Sequence, residues 1–358
     1  MSIKLNILPE LVAAAGLKTA GIAPVEPGAG LLSRLQRRSR EGRVSPFEEK
    51  DPAIRLAPEI LLPGCRSIIV IGLPHGAPVK TPPPDEPGPR GEVARCAAGL
   101  DYHQLLKERA ERLLKLIERE LPGPLRGRIL SDRSPLVERE LARLAGLGWI
   151  GENCTLITPD SGSYIALGTI LLDRELAPDR PLAESCLQCG RCREACPTGA
   201  LQEPHVIDPY RCLSYITQAP GVIPPAVRPL LGGRLYGCDR CQEACPQNRL
   251  PLSIPAVVAA PARGVALLPT RPLLIPLLGM TRQEFNRTVG QTAAGWRGRS
   301  ILQRNAVVAL GNSGRSEAVP ALAGILQNDP RPLLRLHAAW ALGRLGGAKA
   351  RRHLERQR

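Results

Sequence analysis

The chain has 358 residues, of which 43% are hydrophobic and 23% are charged, and its formal net charge is +15. This length predicts two or three domains. No apolar run approaches the length of a membrane span, and the apolar N-terminal stretch is broken by Pro9 and Glu10, so it predicts a short amphipathic helix and not a signal peptide. We therefore expect a cytoplasmic protein with no membrane partner.

Residues 1–178 have the pattern of a mixed α/β domain. Continuous β-branched runs are typical of buried central strands, and apolar residues repeating every three to four positions indicate helices. The predicted elements are a strand at 67–73, an exposed loop at 81–91, a helix at 101–120, a helix opened by Ser134-Pro135 and closed by Gly146, and a strand at 163–172. No glycine-rich nucleotide or flavin motif occurs, so a nucleotide cofactor is not indicated.

The densest polar cluster of this half surrounds the predicted helix at Ser134. Asp132 precedes the helix, Glu138 and Arg139 lie in its early turns, and Asn153 follows in a glycine-rich turn. From residue type alone, a structural explanation is favoured over a functional one: Asp132 is then a capping or turn residue, and Glu138 and Arg139 lie on a solvated helix face.

Two cysteine runs in the middle of the chain carry the strongest signal. The first reads C-L-Q-C-G-R-C-R-E-A-C-P from Cys186 to Pro197, and the second reads C-D-R-C-Q-E-A-C-P from Cys238 to Pro246. In a ferredoxin with two cubane clusters, three cysteines of a run bind one cluster, and the cysteine before proline binds the other. The spacing therefore predicts two [4Fe-4S] clusters and one-electron transfer.

The same rule assigns the eight ligands. The second run has Leu235 where its leading cysteine is expected, and Cys212 is the natural substitute. The predicted ligands are Cys186, Cys189, Cys192 and Cys245 for one cluster, and Cys212, Cys238, Cys241 and Cys196 for the other. Two structural zinc sites are the alternative, although zinc sites usually pair C-x2-C knuckles.

The remaining cysteines, Cys65, Cys96 and Cys154, show no partner spacing. Each is explained as a small buried hydrophobic residue, and a disulfide framework is not expected in a chain whose clusters need reduced thiols.

The last 63 residues are strongly basic and contain a repeat. Twelve Arg or Lys against three acidic residues leave +9 of the net charge between 296 and 358. The stretch R-N-A-V-V-A-L-G-N at 304–312 recurs 32 residues later as L-H-A-A-W-A-L-G-R, which predicts HEAT-like helical hairpins. Concentrated basic charge favours a nucleic-acid partner, and Arg297, Arg299, Arg304, Arg335 and Arg344 are candidates to form one face. A helical cap with a solvated arginine face is the structural alternative.

These motifs together resemble the epoxyqueuosine reductase family, the cobalamin-dependent iron–sulfur enzymes of queuosine biosynthesis in bacteria. The likeness rests on S-D-R-S-P-L-V-E-R-E-L-A with A-G-L-G-W-I-G-E-N, on both cysteine runs, on D-P-Y-R-C-L-S-Y-I-T and on the basic tail, and so spans nearly the whole chain. The chain departs from the usual family pattern at Phe47, Glu48, Ala219 and Gln247, which concerns the pocket lining and leaves the cysteines and Asp132 intact.

The resemblance implies an α+β multidomain fold. Its parts are a nitroreductase-like α/β cobalamin domain at 1–178, a ferredoxin-like domain with two clusters at 179–255, a linker or insert at 256–295, and a HEAT-like, tRNA-binding repeat at 296–358.

The resemblance also implies a reaction and its residues. The family reduces the epoxide of epoxyqueuosine at the wobble position of tRNA to the alkene of queuosine, with electrons passing from an external flavodoxin- or ferredoxin-like donor through the clusters to cobalamin. Asp132 matches the proton donor, and it also lies among the residues expected to contact cobalamin. The others are Arg55, Asn153, Ser214 and Gln218, and Arg297, Arg299 and Arg304 are expected to bind tRNA.

We expect a monomer. The alternatives are a cobalamin and iron–sulfur reductase of a small molecule, similar to reductive dehalogenases, and a non-catalytic iron–sulfur RNA-binding protein. The basic tail argues against a small-molecule reductase. Tolerance of substitutions at Asp132 would favour a non-catalytic RNA-binding protein.

Overall fold

A computed structural model describes residues 5–28, 30–75, 87–132, 134–248 and 268–356. The chain divides into two compact units: the first comprises residues 1–77, 102–210 and 240–258, and the second comprises residues 78–101, 211–239 and 259–358. The predicted boundaries near residues 178, 255 and 295 differ from this division. The chain leaves each unit and later returns to it. Changes in composition along the sequence do not reveal such returns.

The strands of the described residues are β1 (Thr19–Ala23), β2 (Ser67–Pro74), β3 (Glu92–Val93), β4 (Gly127–Ser131), β5 (Trp149–Ile150), β6 (Leu156–Ile157), β7 (Ile165–Leu172), β8 (Leu201–Glu203), β9 (Val206–Ile207) and β10 (Arg234–Tyr236).

The α-helices are α1 (Leu8–Ala14), α2 (Leu31–Arg40), α3 (Pro58–Leu61), α4 (Tyr102–Glu120), α5 (Glu138–Leu144), α6 (Arg191–Glu194), α7 (Leu213–Gln218), α8 (Arg228–Leu231), α9 (Arg240–Glu243), α10 (Leu274–Gly279), α11 (Arg282–Arg287), α12 (Arg299–Asn312), α13 (Val319–Asn328), α14 (Pro332–Leu345) and α15 (Gly347–Glu355). In the described part of the chain, no helix combines the length and the apolar character that a bilayer crossing needs.

The core of the first unit is an antiparallel sheet with strand order β1-β2-β7-β4. Every residue of the two central strands β2 and β7 is buried, which confirms the two strands predicted from their continuous apolar runs. Ile68 and Val70 belong to one core cluster with residues of α5, and α4 packs on β2, β4 and β7 through buried leucines. The mixed α/β prediction for this region is therefore confirmed.

The helix predicted to open at Ser134-Pro135 begins later, at Glu138. The carbonyl oxygen of Pro135 accepts a hydrogen bond from Arg55 Nε at 3.3 Å, and Ser134 Oγ accepts one from the Leu136 N–H at 3.0 Å. These contacts hold the chain between β4 and α5 in a turn, because a carbonyl or hydroxyl used in this way favours turns over helix.

The second unit is mostly helical, with a short parallel strand pair of β3 and β10. The described part of the segment predicted to be a linker, 268–295, contains α10 and α11, and Leu274, Leu277 and Phe285 are buried there. This part of the predicted linker or insert is therefore folded and helical. Of the exposed loop predicted at 81–91, residues 81–86 lie outside the described residues, and Arg90 forms a β-bridge with Leu273.

In the tail, α12 and α13 both pack against α14, and α15 packs against α13 and α14. Gly311 of α12 lies against α14 so closely that an added Cβ would be 2.8 Å from Ala341 Cα. A small residue of the repeat therefore lies where α12 and α14 cross. Residues Leu302–Gly311 of α12 are all buried, so α12 is surrounded by protein and is not a surface cap.

His337 of α14 is a buried member of this unit. Its Nδ1 lies 2.7 Å from the Leu333 carbonyl oxygen, and its Nε2 accepts the Ile223 N–H at 3.2 Å. Burial, together with the charges of Arg228 and Arg304, lowers the pKa of His337 to about 4. The fold therefore requires the neutral imidazole, and Nε2 must stay unprotonated to act as an acceptor.

Acidification is expected to destabilise the protein through His337. Its folded pKa lies below the unfolded value of 6.5, so its contribution to stability is complete above pH 6.5 and is lost as the pH falls toward 4. The loss should be about 2–3 kcal/mol, and His337→Gln, which cannot gain the proton, should lack that component. Anaerobic urea denaturation at pH 7, 5.5 and 4.5 measures it. Identical acid sensitivity of both proteins would contradict the prediction.

Candidate active site

Four cysteines of the first unit surround one cavity. Cys186, Cys189, Cys192 and Cys245 line a space of about 300 Å³, together with Gly151, Asn153 and Ile157. Helices α6 and α9, which carry parts of the two cysteine runs, pack against each other within this unit. In a [4Fe-4S] cluster each thiolate binds a different iron atom, so thiols placed around a cavity fit the predicted ligand set for the first cluster. Within the described residues, no three His, Cys, Asp or Glu side chains are close enough to hold a single metal ion.

The thiols of this cavity differ in exposure and acidity. Cys192 is buried and Cys189 is exposed. Burial, with a further contribution from Glu152, raises the pKa of Cys192 to about 11, and burial also raises the pKa of Cys245. Metal ligation requires the thiolate, and bound iron would supply the positive charge that offsets this burial.

The glycine-rich turn after α5 also lines this cavity, through Gly151 and Asn153. Gly148 permits this turn, because an added Cβ would be 2.1 Å from the Ile157 carbonyl oxygen. Asn153 is buried, and its Oδ1 accepts hydrogen bonds from Thr155 N at 3.2 Å and Thr155 Oγ1 at 2.8 Å. Its Nδ2 is buried with no hydrogen-bond partner among the described residues. A buried amide donor of this kind suits a bound polar group, which fits the expected contact of Asn153 with a cofactor.

The four cysteines predicted for the second cluster come from separate stretches of the chain. Cys196 and Cys241 belong to the first unit, and Cys212 and Cys238 belong to the second, where Cys212 is the N-cap residue of α7. Burial opposes ionisation of Cys196, but hydrogen bonds with Thr198 and from the Ala200 N–H at 3.3 Å outweigh it and lower the pKa of the thiol. The assignment of these four cysteines to one cluster stays a prediction.

Asp132 lies immediately after β4 with φ of 52°, in the left-handed region that non-glycine residues rarely occupy. Its side chain is 54% exposed, and Tyr102 Oη donates to its Oδ2 at 2.5 Å. His103 Nε2 lies 3.3 Å from the same oxygen. The acid is thus held at a strand end by two side chains from the start of α4, and it remains accessible from solvent.

Three residues of this acid site were not among the predicted site residues. Glu138 was named only as part of a polar face, whereas its Oε1 accepts the Asp132 N–H at 3.3 Å. Tyr102 and His103 lie 30 and 29 positions before Asp132, so no local pattern reveals their contact. An adjacent Tyr-His pair at the start of an amphipathic helix was the one available signal.

Of the other expected cofactor contacts, Arg55 belongs to the first unit. It forms an ion pair with Glu48 at 2.8 Å, and Glu48 also pairs with Arg38 at 2.9 Å. Burial lowers the pKa of Arg55, and the Glu48 carboxylate opposes this effect. Glu48, one of the departures from the family pattern, therefore compensates the partly buried Arg55.

Ser214 and Gln218 lie one turn apart on α7 of the second unit. Gln218 Nε2 donates to the Ser214 carbonyl oxygen at 2.9 Å, and Gln218 Oε1 accepts from Trp296 Nε1 at 3.0 Å. Both residues therefore lie on one helix, and the side-chain amide of Gln218 has a fixed orientation. Their contact with cobalamin stays a prediction.

Arg304 was predicted to bind tRNA, and the structure contradicts this role. It is 1% exposed, and its guanidinium donates to the carbonyl oxygens of Ile216, Ala219 and Gly221 at and just after the end of α7. A phosphate has no access to it. Arg297 and Arg299 are half-buried and donate to the carbonyl oxygens of Gln218 and Met280.

Replacing Cys245 with serine is expected to remove the first cluster alone. Serine cannot supply the thiolate, so iron content should fall from about eight to about four atoms per chain after anaerobic reconstitution. Iron assay and EPR of the reduced protein measure this. Cys65→Ser is the matched control, because the Cys65 thiol donates to the Ser67 carbonyl oxygen and lines no cluster cavity. A full iron complement in Cys245→Ser would refute the ligand assignment.

Comparison with known proteins adds three family models. Residues 55–133 match the family described as epoxyqueuosine reductase QueG, DUF1730; residues 185–248 match a 4Fe-4S double cluster binding domain; and residues 298–357 match HEAT repeats. An epoxyqueuosine reductase of Bacillus cereus is 36% identical over 335 residues, which cover 93% of this chain and 86% of the relative.

Two solved structures are also similar along nearly the whole chain. An epoxyqueuosine reductase with an epoxyqueuosine-modified tRNA-Tyr stem loop matches with a TM-score of 0.89 and 34% identity, over 98% of this chain and 92% of that chain. The Bacillus subtilis epoxyqueuosine reductase, with its catalytic aspartate loop swung out of the active site, matches with a TM-score of 0.88 and 34% identity, over 97% and 92%.

Thiols gathered around a cavity, within a stretch that matches a double-cluster domain, indicate an iron–sulfur oxidoreductase. The relatives specify the class further, since the identity of 36% extends over 93% of the chain. The chain belongs to the epoxyqueuosine reductase family. The resemblance seen in the sequence, the double-cluster domain and the HEAT-like tail are confirmed.

Proposed function

We propose that this chain reduces the epoxide of epoxyqueuosine, at the wobble position of tRNA, to the alkene of queuosine. The observation that carries the proposal is the nearly full-length likeness to a reductase solved with an epoxyqueuosine-modified tRNA stem loop. The chain retains the eight cluster cysteines and Asp132 that this chemistry needs.

The cofactors are two [4Fe-4S] clusters and cobalamin. When bound, the clusters supply electrons one at a time, and cobalamin supplies a strongly reducing metal centre for opening the epoxide. Cys186, Cys189, Cys192 and Cys245 would hold the first cluster around their shared cavity. Asn153, with its unpaired buried Nδ2, would donate to a polar substituent of the corrin.

Asp132 supplies the proton. Loss of the epoxide oxygen as water requires protonation, and a positioned carboxylic acid is a common donor for such a step. Its half-exposed side chain is within reach of a substrate, and Tyr102 and His103 both hold Oδ2. The chain's own contribution to the chemical step is therefore a proton at a fixed carboxyl group.

The tRNA-binding surface is formed by the exposed end of the tail. The end of α14 and the last helix, α15, expose many basic residues beside the single acid Glu355: these are Arg344, Lys349, Arg351, Arg352 and Arg356. Such a surface binds phosphates with release of counterions, so its affinity depends on salt. Arg297 and Arg299 remain candidates at the start of the tail.

Neutralising α15 is expected to weaken tRNA binding and flatten its salt dependence. The double variant Arg351→Gln/Arg352→Gln should lower the slope of log affinity against log salt by about 2, because each lost phosphate contact removes about 0.9. Lys115→Gln/Arg119→Gln, an equal charge change on the exposed face of α4, should leave the slope unchanged. Equal slopes for the two double variants would exclude α15 from the interface.

We further propose a small one-electron donor of the flavodoxin or ferredoxin kind, a monomeric enzyme, and a cytoplasmic location, where tRNA is modified. The deciding experiment is anaerobic reconstitution with iron and cobalamin, then reaction of epoxyqueuosine-containing tRNA with a chemical reductant, with nucleosides identified by mass spectrometry. Queuosine formed only with cobalamin and intact clusters is the expected result. Bound cobalamin without tRNA turnover would indicate a small-molecule corrinoid reductase, and failure to bind cobalamin would indicate an iron–sulfur RNA-binding protein.

A further inference from the structure

The turn between β4 and α5 places Asp132 in a strained backbone conformation. At φ of 52°, any residue other than glycine costs roughly 1 kcal/mol or more of conformational free energy. Aspartate adopts this backbone conformation more readily than most residues. Such strain persists only where neighbouring contacts hold it. The contacts of this turn therefore determine where the carboxyl group of Asp132 points.

Contacts from two helices hold Asp132. On the side-chain side, Tyr102 Oη and His103 Nε2 from α4 converge on Oδ2, at 2.5 and 3.3 Å. On the backbone side, Glu138 at the start of α5 accepts the Asp132 N–H at 3.3 Å. Loss of the Glu138 contact would leave the left-handed backbone without its hydrogen-bond acceptor, while the α4 contacts act only on the side chain.

The charge of Glu138 bears directly on this contact. Burial, and then the neighbouring Asp132 carboxylate, raise the pKa of Glu138 to about 8, while the Asp132 N–H, His103 and Arg139 act in the opposite direction. At pH 7 Glu138 is mostly protonated, and its carbonyl oxygen still accepts the N–H. Above pH 8 it ionises beside Asp132, and like charges in a partly buried site repel.

We propose that Glu138 is the positioning residue of Asp132: its side-chain oxygen holds the Asp132 backbone in the left-handed conformation, and a negative charge on Glu138 would repel the Asp132 carboxylate from that position. The proposal rests on the proposed role of Asp132 as proton donor. Proton delivery from Asp132 then depends on pH and is lost at alkaline pH. The ionisation of Glu138 sets that limit, although Glu138 itself transfers no proton to the substrate.

The test compares two replacements of Glu138. Glu138→Ala removes the acceptor and should lower kcat by about 10- to 100-fold with KM for tRNA changed less than twofold, because substrate binding does not use this contact. Glu138→Gln keeps a neutral acceptor oxygen, so it should restore most of the turnover lost in Glu138→Ala. Between pH 7 and 9, the wild-type kcat should decline with an apparent pKa near 8, and this decline should be absent from Glu138→Gln.

Controls separate positioning from folding and from the proposed function. Glu108→Gln makes the same charge change on the exposed face of α4 and should behave as wild type. Iron content and melting temperature of each variant identify any that fails to fold, and the pH profile of Glu138→Gln then carries the test. An unchanged alkaline decline in Glu138→Gln, or wild-type kcat in a folded Glu138→Ala, would refute the proposal. If wild type makes queuosine and Asp132→Asn does not, these refutations concern Glu138 alone; if Asp132→Asn stays active, the role of Asp132 and this proposal fail together.

Discussion

Asp132→Asn is expected to lower kcat by about 100- to 10,000-fold while the protein keeps its clusters and cobalamin. Asparagine preserves the shape of the side chain and tolerates the left-handed backbone, but it has no acidic proton to deliver. Single-turnover formation of queuosine, with iron and cobalamin measured in the same sample, tests this. The expected pattern is full cofactor content with almost no product.

Asp160→Asn serves as its matched control. Asp160 is an exposed aspartate of the same unit, outside the turn between β4 and α5. Wild-type kcat is expected for this variant. Turnover by Asp132→Asn at the rate of Asp160→Asn would remove Asp132 from the chemistry.

Arg304→Met is expected to destabilise the protein by about 3–5 kcal/mol, the largest effect we expect from a residue outside the active site. The guanidinium donates at 2.7 and 2.8 Å to the carbonyl oxygens of Ala219 and Gly221, and at 3.1 Å to that of Ile216. Methionine fills the volume but leaves these acceptors buried and unpaired. Burial and the charge of Arg297 lower the pKa of Arg304 to about 10, so it remains charged at neutral pH.

The measurement is anaerobic urea denaturation, with iron content as a second readout. Because Cys212 is the N-cap residue of α7, a loosened α7 should also weaken binding of the cluster that Cys212 is predicted to hold. Arg304→Lys should fall between wild type and Arg304→Met, since an ammonium group lacks the planar fork of five donors. Arg315→Met, at an exposed arginine, should change stability by less than about 0.5 kcal/mol, and a similarly small effect at Arg304 would contradict its supporting role.

The elements that the sequence predicts well are those set by local pattern. The central strands β2 and β7 follow from continuous apolar runs, and the double-cluster domain follows from two cysteine runs of fixed spacing. The glycine of the repeat also predicts where α12 and α14 cross.

The elements that it misses depend on contacts between distant positions. Tyr102 meets Asp132 only after β4 and α4 have packed on the same sheet. Arginine is a residue type usually found at the surface. Only the position of α7 in the folded chain shows that the charge of Arg304 is buried among carbonyl groups. The two units were missed for the same reason, since the chain re-enters each one.

The burial of α12 limits how the tail of this chain can evolve. A helix whose residues Leu302–Gly311 are all enclosed cannot be gained or lost as an independent appendage, because its removal would open the interior of the second unit to water. Substitutions can therefore accumulate on the outer turns of α14 and α15, where exposed side chains change without loss of packing. If this constraint holds, relatives of this chain should vary in the basic residues of these turns while the buried residues of α12 stay the same.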